Sequence, residues 1–360
     1  KVRSLTDAAE IVIEDLFSIF FNEENSEYKD PMKHSISTLN GEFGLKIEEV
    51  TRKDLCDDGF KAEAYDLWMK HGGLLAVRGS DLANVLPEEL LAWSEVFGVV
   101  EQKTQTGRED KIVPGFPILR IGNVKGKNGK PSAQFAIVPQ LKDDTDIRYN
   151  PKTRRPVWHT DSTFREKPPI GSVFHCKIAP PAGGATLFSD MRTAYERLDT
   201  EKQQDLASLE AVCSLAHHDK KINAYSPEYP VLTPEQRAEN PPNRVPLVLK
   251  HPLTGEVAVY GLNSSTCAIV PIGQQIKQSD LDHWDLEGVE DKSVLILRDL
   301  LPYLTGPEFS VKWEWQPGDI VAWDNRSTIH AATGFDYKNN KREMWRLTLN
   351  EDNPSMAATI

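Results

Sequence analysis

The stretch Val157-Trp158-His159-Thr160-Asp161-Ser162-Thr163-Phe164 decides the fold that this sequence predicts. As a β-strand it would place His159 and Asp161 on one face, roughly 6.6 Å apart, because alternate side chains of a strand point the same way. An imidazole nitrogen and a carboxylate oxygen can bind one metal ion together. With one further His they form the two-His-one-carboxylate triad, which holds Fe(II) at three corners and leaves three open for chemistry.

The third ligand is expected on a distant strand that returns beside the first. Pro317-Gly318-Asp319 is typical of a turn, and the apolar run from Ile320 to Trp323 predicts a buried strand after it. His330 lies at the far end of this segment. We therefore predict His330 as the third metal ligand.

Three more side chains accompany the predicted triad. Thr186 follows a Gly-Gly turn in GGATLF at 183–188, and Arg342 and Arg346 lie close behind His330. On a strand the two arginines would share one face about 13 Å apart, a spacing that suits two separate anions.

With these motifs the chain resembles the taurine dioxygenase (TauD/TfdA) family of Fe(II)- and 2-oxoglutarate-dependent oxygenases. The resemblance extends from about residue 72 to residue 350. It is closest in WHTDSTF, PPAGGATLFSDMRTAYERL and WQPGDIVAWDNRSTIHAA. Several ordered motifs at family-like spacing make the resemblance specific.

The resemblance implies a mainly β fold with flanking helices, whose core is a double-stranded β-helix, a jelly roll of two antiparallel sheets. It also implies one dioxygenase domain over residues 1–360. Residues 72–350 would form the family-like core, and residues 1–71 would be an N-terminal elaboration of helix and strand packed on it.

The same resemblance implies which residues bind the metal and the co-substrate. His159, Asp161 and His330 would bind Fe(II). Thr186 would donate a hydrogen bond to a carboxylate of 2-oxoglutarate, and Arg342 would form a bidentate pair with the distal carboxylate. The reaction would consume O2 and release succinate and CO2.

The implied substrate is a small anionic organic acid, such as a carboxylate, an amino acid or a sulfonate. Arg346 matches the family residue that receives the substrate's anionic group. Lys103, with Gln102 beside it, is nearest by position to a family side chain that contacts the same group. Hydroxylation, desaturation and ring closure all begin with oxidation of a C–H bond, so the sequence leaves these outcomes open.

Two other classes of function compete with the oxygenase. One is a catalytically silent jelly-roll binding protein, which the intact ligands and arginines disfavour. The other is a hydrolytic zinc enzyme on the same triad, which would need a base near the metal. His217-His218-Asp219 also looks metal-binding, but adjacent residues of a strand point to opposite faces, so we interpret it as structural.

Composition limits the partners and the compartment. The 360 residues are 39% hydrophobic and 27% charged, as in an ordinary globular protein. The net charge of -12 argues against nucleic acid or an anionic membrane as partner. It does not forbid an anionic small substrate. Separately, a homo-oligomer stays open as an expectation. Four scattered cysteines without a CxxC pair favour reduced thiols and a cytoplasmic location. The chain begins at Lys1 without an initiator Met, so an upstream segment would revise that location.

Overall fold

The computed structural model describes residues 34–102, 111–125, 158–223, 231–263, 265–275 and 299–358. Residues 36–360 form one compact unit. Lys103 and residues 1–33 of the predicted N-terminal elaboration lie outside the described residues. The division of the domain at residue 71 stays a prediction.

A large mixed sheet forms one wall of the molecule. Its strands run in the order β1-β2-β3-β14-β6-β16-β4, with β5 also paired to β16. The pairing of β2 with β3 is parallel, and the pairs around β14 and β16 are antiparallel. The strands are β1 (Ser35–Asn40), β2 (Phe43–Glu48), β3 (Leu74–Val77), β4 (Val99–Val100), β5 (Leu119–Gly122), β6 (Gly171–Ile178), β14 (Ile320–Asp324) and β16 (Glu343–Glu351).

A smaller antiparallel sheet lies opposite. It has the order β13-β7-β15, with β7 (Thr186–Asp190), β13 (Ser310–Trp313) and β15 (Thr328–Ala332). Phe188 and Trp313 of this sheet share one buried cluster with Trp323 and Met344 of the large sheet. The two sheets therefore pack face to face around a common core, as a jelly roll requires.

Helices and short strands cover the outer faces. Trp68, Trp93 and Phe97 pack edge to face behind the large sheet, in a cluster that also contains Leu75 and Leu347. The helices are α1 (Asp58–Lys70), α2 (Pro87–Ser94), α3 (Met191–Glu196), α4 (Thr200–Ala207), α5 (Leu215–Asn223), α6 (Pro234–Glu239) and α7 (Pro354–Ala357). The remaining strands are β8 (Leu209–Cys213), β9 (Asn243–Pro246), β10 (Val248–Lys250), β11 (Val257–Val259) and β12 (Thr266–Pro271).

Two features of these outer elements bear on the sequence predictions. His217 and His218 lie on α5, so their interpretation as strand residues was wrong. None of the helices in the described ranges combines the length and the apolar character that a membrane crossing needs.

A buried ion-pair corner carries the chain from the large sheet to the small one. Between β14 and β15, Arg326 bonds to both oxygens of Asp324 and to Asp352 near the C-terminal end. His251 Nε2 lies 3.1 Å from Asp324 Oδ2. Burial alone would raise the pKa of Asp324, but Arg326 and His251 bring it well below its usual range. The corner thus fixes the start of β15, the strand that carries His330.

Candidate active site

His159 and Asp161 meet through a turn and not along a regular strand. His159 forms a single antiparallel bridge with His330, in which the backbone N–H of each donates to the other's carbonyl at 2.9 and 3.0 Å. The chain then turns at residues 161–164, where Ser162 has a φ of 51°. The predicted strand through Asp161 was therefore wrong, although the return of His330 beside His159 was correct.

The turn brings three candidate metal ligands together. Asp161 Oδ1 lies 3.6 Å from His159 Nε2 and 3.8 Å from His330 Nε2. One ligand atom from each residue lies within 4.8 Å of the others, the one such cluster of His, Cys, Asp and Glu in the described part of the chain. Donor atoms bound at right angles, about 2.1 Å from a metal, would be roughly 3.0 Å apart. The two distances from Asp161 Oδ1, 3.6 and 3.8 Å, are less than an ångström longer than that value.

The two oxygens of Asp161 have different surroundings. Oδ2 accepts hydrogen bonds from Arg346 Nη2 at 2.9 Å and Ser172 Oγ at 3.4 Å, which leaves Oδ1 directed at the imidazoles. Burial alone would raise the pKa of Asp161, but the charge of Arg346 and the two imidazoles outweigh it and lower the pKa to about 2. The carboxyl is therefore ionised at neutral pH, as a metal ligand must be.

His330 is held as a neutral imidazole. Burial lowers its pKa to about 3, and the nearby His159 acts in the same direction. Its ring packs 4.8 Å from Trp323 and 6.1 Å from Phe188, measured between ring centroids. A neutral ring in an apolar wall keeps a nitrogen lone pair available to a metal.

Arg342 is a buried cation for which the described ranges contain no acidic partner. It is 8% exposed, directly precedes β16, and donates from Nε to Gly184 O at 3.1 Å. No carboxylate among the described residues pairs with it. Burial lowers its pKa to about 10, so it stays charged at neutral pH. An uncompensated buried charge is costly, and an anion in this position would relieve the cost.

Gly184 makes room for Arg342. Its φ is +68°, and a Cβ there would lie 3.2 Å from Arg342 Cδ and 3.3 Å from Nε. The missing side chain thus leaves the channel along which the arginine lies. The three clustered donors can hold a metal, and the buried Arg342 cation can bind a carboxylate. Together they suit a metal with a dicarboxylate beside it.

Thr186 lies on the same inner surface as the triad. In the register of β7 with β15, Phe188 faces His330 and Thr186 faces Ala332. Thr186 is therefore the diagonal neighbour of His330, about 7–8 Å away in a regular sheet. Its Oγ1 accepts a hydrogen bond of 2.9 Å from Trp315 Nε1. The sequence interpretation missed Trp315, although the residue lies within the quoted WQPGD motif.

The predicted substrate anchors are only partly brought together. Arg346 lies on β16, bonds to Asp161, and keeps a buried Nε that has no hydrogen-bond partner among the described residues. Gln102 is exposed, and its side-chain amide donates to Val100 O at 3.1 Å. This hydrogen bond is with the end of β4 and not with the triad.

Comparisons with known proteins show which family this chain is similar to. The model of the family "Taurine catabolism dioxygenase TauD, TfdA family" matches residues 35–348. The (S)-phenoxypropionate/alpha-ketoglutarate-dioxygenase of Sphingobium herbicidovorans is 27% identical over 328 residues, 90% of this chain and 97% of the relative. The alpha-ketoglutarate-dependent dioxygenase cnsM of Penicillium expansum is 31% identical over 320 residues, 87% of this chain and 77% of the relative.

A solved structure is similar over the same region. The crystal structure of AAD-2 in complex with Mn(II) and N-oxalylglycine has a TM-score of 0.64 and 25% identity, and the match covers 89% of this chain and 98% of that one. The jelly-roll prediction and the resemblance are both confirmed. The chain belongs to the TauD, TfdA family and is a dioxygenase that uses Fe(II), 2-oxoglutarate and O2.

Proposed function

We propose that the protein oxidises a C–H bond of a small organic acid, with Arg346 binding the acid group. The observation that carries this proposal is the Arg346 side chain beside the candidate metal ligand Asp161: its Nε is buried and has no partner in the described part of the chain. Phe174 lies opposite Arg346 in the register of β6 with β16 and is only partly buried. A cation next to an accessible aromatic ring suits an acid with an apolar body.

The names of two relatives support the same class. One is the phenoxypropionate dioxygenase described above. The other is the alpha-ketoglutarate-dependent 2,4-dichlorophenoxyacetate dioxygenase of Cupriavidus pinatubonensis, 29% identical over 199 residues, 54% of this chain and 60% of that relative. Both names describe an aromatic ring joined to a short carboxylic acid.

Each site residue has a role in this proposal. His159, Asp161 and His330 would hold Fe(II), which with 2-oxoglutarate and O2 supplies the oxidation of the C–H bond and the release of succinate and CO2. Arg342 would bind the distal carboxylate of 2-oxoglutarate through its planar guanidinium, and Thr186 would donate a hydrogen bond to it. The chain's own contribution is orientation: charged side chains fix where the substrate lies.

The pairing of Arg346 with Asp161 Oδ2 has a further effect in this scheme. Together with Ser172 it turns Oδ1 towards the imidazoles. Side chains that hold a ligand in this way usually tune metal affinity. Arg346 would therefore couple substrate binding to metal binding, because its guanidinium would contact both the substrate's acid group and the candidate metal ligand Asp161.

Turnover of 2-oxoglutarate tests the proposal. Protein purified without O2 is loaded with Fe(II), mixed with 2-oxoglutarate and a panel of aryloxy acids, aliphatic acids and sulfonates, and exposed to O2. We expect substrate-dependent succinate, greatest with one class of acid, and mass analysis of the product separates hydroxylation from desaturation and ring closure. Iron-loaded protein that makes no succinate with or without any acid would instead favour a silent binding protein.

Replacement of Arg346 by Ala is expected to raise the KM for the acid substrate at least tenfold, equivalent to about 1.4 kcal/mol. The KM for 2-oxoglutarate should change far less, because Arg342 remains. Steady-state kinetics with each substrate varied in turn measures the two values. Ser172→Ala is the matched control, since it removes the other donor to Asp161 Oδ2 without removing a cation. A larger rise in the KM for 2-oxoglutarate would mean that the two arginines have exchanged roles.

A further inference from the structure

The hydroxyl group of Thr186 has its direction set by the indole of Trp315. Both side chains are buried, at 4% and 8% exposure, and Nε1 of the indole lies 2.9 Å from Oγ1 of the threonine. Indole N–H is a donor only, whereas a hydroxyl both donates and accepts. Thr186 must therefore accept in this pair, and its own proton is left to donate elsewhere.

The hydroxyl proton has no acceptor in the protein within the described ranges. The hydroxyl group lies on the inner face of β7. Two residues before Thr186, Gly184 O accepts the hydrogen bond from Arg342 Nε. A buried hydroxyl proton without an acceptor costs free energy until a ligand supplies one. An anion next to Arg342 is the acceptor that this position offers.

The segment that carries Trp315 is rigidly held. Arg78 forms two hydrogen bonds with Asp319, at 2.8 and 2.7 Å, and a third with Glu314 O at 3.1 Å. Its guanidinium also stacks 4.6 Å from the ring centroid of Trp313. Asp319 Oδ2 accepts from Gln316 N at 2.8 Å, which closes the turn after the indole. These hydrogen bonds fix the backbone on both sides of Trp315, and thereby the position of its indole.

We propose that Trp315 is a positioning residue for the co-substrate: its N–H occupies one lone pair of Thr186 and so commits the hydroxyl proton to a carboxylate held by Arg342. The inference rests on the proposed roles of Thr186 and Arg342. It adds a residue whose contact with the ligand is indirect. No bond is made or broken by Trp315, so its effect is on binding alone.

Two substitutions at Trp315 separate its donor from its bulk. Trp315→Phe keeps an aromatic ring but removes the N–H. Trp315→His loses the larger ring but keeps a nitrogen at the same position along the side chain, because Nε2 of His and Nε1 of Trp are both two bonds from Cγ. If the donor matters, the His variant should bind the co-substrate better than the Phe variant, despite its smaller apolar surface.

The experiment is a double-mutant cycle on binding. Full-length protein is loaded with Mn(II), and the dissociation constants of 2-oxoglutarate and N-oxalylglycine are measured by calorimetry, with no turnover required. One net hydrogen bond corresponds to a roughly 2- to 12-fold weakening for Trp315→Phe. In a Thr186→Val background the same change should have almost no further effect, and in Thr186→Ser it should act as in the wild type.

The outcomes are distinct. Equal weakening by Trp315→Phe with Thr186 and with Val at position 186 would reduce Trp315 to a packing residue and overturn the inference, as would no weakening at all. Mn(II) affinity and the melting temperature are measured in each variant, and both should stay near the wild-type values for Trp315→Phe. Should that variant fail to fold, the comparison of Trp315→His in the Thr and Val backgrounds decides the same point. Wild-type protein that binds Mn(II) but neither ligand would instead refute the proposed function.

Discussion

His159→Ala is expected to abolish turnover and to weaken Mn(II) or Fe(II) binding by more than the roughly 10- to 100-fold lost when only an outer-shell partner of a metal ligand is removed. The variant leaves Asp161 and His330 as two donors where three now lie within 4.8 Å. The His159 side chain is 29% exposed, so its loss should leave the fold intact. Calorimetry with Mn(II), succinate release and the melting temperature measure the three effects.

His71→Ala is the matched control for this prediction. His71 contacts Glu42 O with Nδ1 at 3.1 Å, caps the end of α1, and is not one of the three clustered donors. It should retain metal binding and turnover. Metal affinity unchanged in His159→Ala would contradict the assignment of this residue as a ligand and would require another donor to complete the site.

Arg342→Met is expected to act in opposite directions on binding and on stability. Removal of one partner of a buried, hydrogen-bonded charge pair costs about 2–5 kcal/mol, so 2-oxoglutarate should bind roughly 30- to 5000-fold more weakly. The folded protein without ligand should be at least as stable as the wild type. Burial lowers the pKa of Arg342 to about 10. The group is still charged at neutral pH, but the lowered pKa means that its charge makes the folded state less stable relative to the unfolded state.

A nearby arginine gives the matched control. Arg120 on β5 forms a two-bond pair with Glu343, at 2.9 and 2.8 Å, so Arg120→Met breaks an existing ion pair. It should lower the melting temperature while leaving 2-oxoglutarate affinity nearly unchanged. The same pattern in Arg342→Met would indicate a structural cation.

Gly184→Ala tests the Arg342 site by a second route. The added Cβ would lie 2.9 Å from Pro180 Cγ and would also crowd Arg342 Cδ and Nε, and the φ of +68° is unfavourable for alanine. We expect weaker 2-oxoglutarate binding with Mn(II) affinity retained, again measured by calorimetry. Loss of both affinities together would indicate a general distortion of β7.

The sequence predicted which residues come together. It was less reliable on the backbone conformation that carries those residues. His159, Asp161 and His330 were recognisable because their donor types and order are distinctive. Pairing of His159 with His330 also followed from the expectation of a returning strand, and the structure contains that bridge. The alternation expected of a strand did not extend to Asp161, where Ser162 adopts a left-handed conformation that only a surrounding network stabilises.

Part of that network comes from the connection between β11 and β12, which is distant in sequence and which the local sequence pattern does not predict. Asn263 donates to Thr160 O at 3.0 Å and contacts Thr163 Oγ1, while Leu262 O accepts from Thr160 N. The Arg346 ion pair with Asp161 was likewise invisible in sequence, because spacing along β16 says nothing about which neighbour a guanidinium reaches. Such contacts depend on the packing of the two sheets, which the sequence predicts only in outline.

The bridge between His159 and His330 also constrains when the site can come into existence. The two residues are separated by nearly half of the chain, so their meeting requires closure of a long loop and comes after local pairings have formed. A nascent chain still lacking β15, or a proteolytic fragment ending before it, would contain only two of the candidate ligands. Affinity for the metal should therefore emerge late in synthesis, once the ribosome has released the last strands.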